Sequence, residues 1–210
     1  MSISLGLFDV FTYIVPGSLY LALIVYLAEK FSWIEIGQLK NVPCLVLFGG
    51  ILIICYLLGF VADPLAAQLD KRMEFWKARY REDAKEIFKT RAPGAVHRAY
   101  VKADLYLLLA AAETSQKEAA LEISRFRATG LMLRNCSVPF LGACIVSVAE
   151  AIAGIRPAAT ILCAVFFAAA VLSCIGQGKR LREWANMKTL DICYWIPGID
   201  EMVLGQNPKR

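Results

Sequence analysis

The sequence predicts an all-α integral membrane protein, with four transmembrane helices in two hairpins and a cytoplasmic helical hairpin between them. The first observation behind this is the spacing of charge. Val10–Ala28, Val42–Ala62 and Pro157–Gly178 contain no charged residue, and Cys136–Ile155 contains a single acid, Glu150. Crossing a hydrocarbon core of ~30 Å takes roughly 20 helical residues, and all four runs reach that length. The second is composition: 58% of the 210 residues are hydrophobic and the mean hydropathy is +0.53, whereas soluble domains lie nearer half apolar. The third is the distribution of Lys and Arg. Of 23 basic residues, fourteen fall in residues 63–134 and six follow Gly178, leaving Lys30, Lys40 and Arg156 for the other side. The positive-inside rule then places both termini and residues 63–134 of this multi-pass protein in the cytoplasm.

Four sections follow in order. Residues 1–62 form an N-terminal segment and the first transmembrane hairpin. Leu5, Leu7 and Phe8 lead in, and Asp9 is placed to cap the first span. No basic stretch precedes that span, so it is not read as a cleavable signal. Pro16-Gly17 lies inside it; proline removes a backbone donor and should kink or break the helix. Trp33 is suited to anchor the short outer loop at the interface. Asp63-Pro64 marks a helix-end irregularity where the second span leaves the membrane.

Residues 63–134 read as a cytoplasmic helical hairpin. Leu65, Leu69, Met73, Trp76, Tyr80, Ala84 and Ile87 recur at steps of three and four, the signature of one apolar helix face. Ala92-Pro93-Gly94 interrupts the pattern. Val101, Leu105, Leu108, Ala112, Ala119, Ile123 and Phe126 then trace a second helix ending before Gly130. Residues 135–178 form the second transmembrane hairpin, closed by the tight turn Gly154-Ile155-Arg156-Pro157. Ala143, Ser147 and Ala151, and Ala164 and Ala168, repeat at intervals of four and allow close helix approach. Residues 179–210 form a cytoplasmic tail, in which Tyr194-Trp195-Ile196-Pro197-Gly198 echoes Tyr13-Ile14-Val15-Pro16-Gly17 and suggests an interfacial segment.

The seven cysteines show no CxxC pair, and most fall in or beside the spans. They read as packing residues; no disulfide framework, metal site or cofactor is expected. The net charge of +5 follows from topology, so nucleic acid is not an expected direct partner.

Few residues are candidates for chemistry. Glu150 is the intramembrane polar candidate, either lining a pore or relaying protons, or else snorkelling outward and pairing with Arg156. Pro16, Gly17, Asp63 and Pro64 are the helix-break candidates. Trp76, Tyr80, Arg91, His97 and Leu105 mark the hairpin as a surface for docking a soluble partner. Arg91 and His97 also fit the loose Arg-x(4–6)-His spacing of HEPN ribonucleases, although Pro93-Gly94 interrupts the helix such a pair would occupy. No Walker loop, GxSxG, HExxH or paired catalytic carboxylates occur, so an enzyme is not expected.

Phe8-Asp9-x-Phe11-x-Tyr13-x-x-Pro16-Gly17, followed by Tyr56-x-x-Gly59-x-x-x-Asp63, resembles the opening hairpin of small bacterial inner-membrane proteins. Some of these are similar to multi-span subunits of antiphage systems, such as the Kiwa membrane subunit or transmembrane effectors of nucleotide-signalling defence. The resemblance covers about the first third of the chain. It implies a homo-oligomeric sensor or effector that perturbs the membrane or docks a cytoplasmic protein. Two alternatives stand beside it: a channel or transporter subunit, and a membrane-tethered HEPN-like nuclease using Arg91 and His97.

Overall fold

The computed structural model describes residues 3–33, 43–73 and 84–205 of the chain. All of its regular structure is helical, and no strand occurs among the described residues. Among the described residues, four helices are long and apolar enough to cross a membrane: α1 (Ile3–Lys30), α2 (Cys44–Arg72), α6 (Lys117–Ile152) and α7 (Pro157–Trp195). Between them lie α3 (Ala84–Arg91), a 3₁₀ turn (Pro93–Ala95), α4 (Ala99–Lys102) and α5 (Leu105–Ser115), and α8 (Ile199–Gly205) follows α7.

The chain forms two compact units, each built from two separate stretches. The first holds Met1–Phe75 and Leu131–Gly178; the second holds Trp76–Gly130 and Lys179–Arg210. The four serial sections expected from the sequence are therefore regrouped. In particular, the tail after Gly178 is not a separate segment but part of the second unit's core. The physical reason is the face formed by Ala185, Thr189, Leu190 and Cys193, all fully buried. Their spacing aligns them on one side of α7.

In the first unit, α1 and α2 pack closely. α1 runs unbroken through Pro16, and α2 runs through Pro64 to Arg72. Both proline positions thus lie inside helices, where neighbouring elements can compensate the lost hydrogen bond. Asp9 likewise falls within α1, not at its cap. On the other side, α6 and α7 meet through the Phe140–Phe167 stack, with ring centroids 6.2 Å apart, and through Cys144 Sγ, which donates to the Ala164 carbonyl at 3.4 Å.

The ends of α1 and α6 use the same device. Trp33 N–H donates to the Ala28 carbonyl and Ser32 N–H to that of Glu29, with Ser32 in the left-handed region at φ 55°. At the end of α6, Ile155 N–H reaches the Glu150 carbonyl and Gly154 N–H that of Ala151, with Gly154 at φ 75°. This paired six-to-one and five-to-two pattern is the Schellman motif, which satisfies the last helical carbonyls. Pro157 then opens α7, where a missing N–H costs nothing.

Among the described residues, the stretch expected as a two-helix hairpin is divided into shorter helices. Ala92 breaks the chain after α3, and Asp104 caps α5 by accepting from Tyr106 N–H at 2.7 Å. Gln116 then turns out of helical geometry at φ −140°, ψ 75° before α6 begins. The single stripe traced from Val101 to Phe126 is thereby divided among α4, α5 and α6. Its residues still face inward: Val101, Leu108, Ala112 and Ile123 are buried. Val101, Leu108 and Ala112 join a core with Phe88, Tyr100, Leu190, Cys193, Ile196 and Ile199. Ile196 therefore lies in the core, while its neighbour Trp195 is 76% exposed.

Candidate functional site

The motif in the first two spans converges on one helix crossing. A Cβ on Gly17 would sit 1.7 Å from the Cys55 carbonyl oxygen, and one on Gly59 would sit 2.0 Å from that of Tyr13. Neither position has room for any side chain, so the two glycines let the backbones touch from both sides. Around them Pro16, Cys55, Ala62 and Ala66 are buried. Tyr13 places its ring edge-on to Tyr56 and Phe60, with centroids at 5.7 and 5.6 Å. Of the residues that carry the resemblance, Tyr13, Pro16, Gly17, Tyr56 and Gly59 thus pack at this crossing.

Asp63 has a specific partner. Arg134 Nη2 donates to its Oδ1 at 2.7 Å, joining α2 to α6. Expected to mark a helix end, Asp63 instead anchors an ion pair inside a continuous helix. The next residue, Asn135, is completely buried, and neither atom of its carboxamide meets a partner among the described residues.

Glu150 is nearly buried and accepts hydrogen bonds from both Lys30 Nζ and Tyr26 Oη. The donors are four residues apart on α1, which sets them on the same helix face. The expected partner, Arg156, instead occupies the turn before α7, exposed and in the left-handed region at φ 44°. Lys30 wins because α1 lies alongside α6 with the two chain directions matched; a Cβ on Gly142 would likewise sit 2.8 Å from Leu23 Cδ2. A carboxylate held by an ammonium and a phenol is a structural clamp.

The docking residues divide. Trp76 and Tyr80 lie outside the described residues. Arg91 and His97 are exposed on either side of the 3₁₀ turn, and among the described residues neither side chain makes a hydrogen bond, ion pair or ring contact. Leu105 is half-buried against the second unit's core. Nearby, Tyr100 is fully buried, its N–H donating to Asp200 Oδ1 at 3.0 Å. Burial pushes its phenol up to about 12.

Compared with family models, curated proteins and solved structures, the chain matches none. Its own geometry therefore carries the functional reading. Sequence reasoning missed Lys30, Tyr26, Arg134 and Asn135. For Lys30 a signal existed: it closes its span at about the same depth as Glu150 closes α6.

Proposed function

We propose that the chain is a homo-oligomeric protein of the bacterial inner membrane that serves antiphage defence by docking a soluble partner. In this reading both termini and the second unit face the cytoplasm, following the bias of basic residues. The observation that carries the reading is the division of labour in the fold. The apolar bundle holds the bilayer, while a second unit closes its own core around Tyr100, Leu108 and Leu190. A unit with its own core can present a surface without borrowing stability from the spans. The exposed turn from Arg91 to Arg98 is the docking surface proposed. The clamp on Glu150 favours docking over a carboxylate-lined pore, because a cation-attracting wall needs a charge free to face water.

The test is phage challenge of cells expressing the chain with its neighbouring genes, with membrane potential followed throughout. Combined charge reversal at Arg91 and Arg98 should abolish protection and co-purification of a partner, while His97→Ala changes little. Loss of protection on His97→Ala alone, with potential unchanged, favours the nuclease reading. An intact protein without effect on phage removes the defence reading and leaves transport.

A further inference from the structure

The shoulder formed by Tyr106 and Leu107 at the start of α5 has no role in the core. α5 turns Leu108 and Ala112 inward, both fully buried, yet Tyr106 is 75% and Leu107 52% exposed. One cation lies against the ring, and two others sit beside the turn that leads into α5. The Arg127 guanidinium lies 4.8 Å from the Tyr106 ring centroid. Lys85 Nζ donates to the Ala103 carbonyl at 3.0 Å, and Lys102 is exposed at the end of α4. The neighbouring acid, Asp104, has one carboxylate oxygen taken by Tyr106 N–H.

We propose that this shoulder binds the headgroup region of an anionic bilayer. A phenol beside an aliphatic side chain suits the boundary between acyl chain and water, where tyrosine is enriched. The neighbouring Lys and Arg complement anionic headgroups and bring the ring toward them. Size decides between lipid and protein. Two exposed side chains on a convex helix turn fall far short of the ~800 Å² per partner that a specific protein interface buries. The same chain carries four helices apolar enough to cross a membrane, so a bilayer is the surface always at high local concentration. The proposal needs only membrane insertion and is independent of the defence reading.

The test places a benzoylphenylalanine photocrosslinker at Leu107 in the full chain, reconstituted in nanodiscs of phosphatidylcholine alone or mixed with phosphatidylglycerol. Intact-mass analysis after illumination identifies the adduct. The expected result is a lipid adduct several-fold more abundant in the phosphatidylglycerol discs. It should exceed that at Thr114, exposed at the far end of α5, and lose its lipid preference in Lys102→Gln. Equal yields at both positions and in both lipids, or crosslinks to protein alone, would overturn the proposal. Because Leu107 and Lys102 are exposed, neither change threatens the fold, and helical circular dichroism verifies this.

Discussion

Single atoms decide the tolerance of several positions. At Gly17 and Gly59, a methyl group would land on a backbone carbonyl, which cannot rotate aside. Gly17→Ala or Gly59→Ala should each cost about 1–3 kcal/mol or separate the helices outright. Gly49→Ala and Gly50→Ala, where nothing lies within 4 Å, should be silent. Thermal unfolding in mild detergent distinguishes the two pairs, and equal effects at all four positions would contradict the crossing. Tyr100 gives a pH prediction. Its folded pKa of about 12 lies above the ordinary phenol value of 10.0. The neutral form is thus favoured in the folded state, and its contribution is full below pH 10 and lost as pH rises toward 12. Tyr100→Phe should keep the packing, remove a buried hydroxyl that has no partner among the described residues, and gain up to about 1 kcal/mol. Alkaline unfolding should shift upward; an unchanged midpoint would mean that another group controls it.

At the scale of elements, the clamp from α1 to α6 and the seam along α7 matter most. Lys30 is about one-third exposed and Glu150 about one-tenth. Glu150→Leu leaves Lys30 without its partner and should cost about 1–3 kcal/mol, between the surface and buried ranges for ion pairs. Replacing both residues with apolar ones should recover most of that loss, which a double-mutant cycle measures. The seam of α7 is stricter. Leu190→Asp buries a charge among Leu108, Tyr100 and Phe88, and should unfold the second unit while the bundle still inserts. The spans themselves were legible in the sequence, because runs of about twenty uncharged residues have few other uses. The seam was not, because Ala185, Thr189, Leu190 and Cys193 sit among Lys179, Arg182, Glu183 and Lys188, which makes the stretch read as a polar tail. The break at Gln116 was nearly as hidden, its local hint being the Ser115-x-x-Glu118 spacing of a helix start inside a continuous apolar stripe. Glu150 stood out as the lone acid of an apolar run, but its partner depended on how two distant spans align.

For the whole molecule, the proposed function assigns insertion to one compact unit and recognition to the other. Homo-oligomerisation is expected through small-residue faces such as Ala143, Ser147 and Ala151. Native mass spectrometry in mild detergent should show a multimer, and a monomer at every concentration would remove that part of the account. The central claim is that the four apolar helices cross the membrane with the second unit inside. Gly94 offers the most direct measurement, because it is exposed at the 3₁₀ turn and a side chain there meets nothing within 4 Å. In a variant whose only cysteine is introduced by Gly94→Cys, a membrane-impermeant maleimide should label the chain only after permeabilisation. Labelling from outside intact cells would contradict the account.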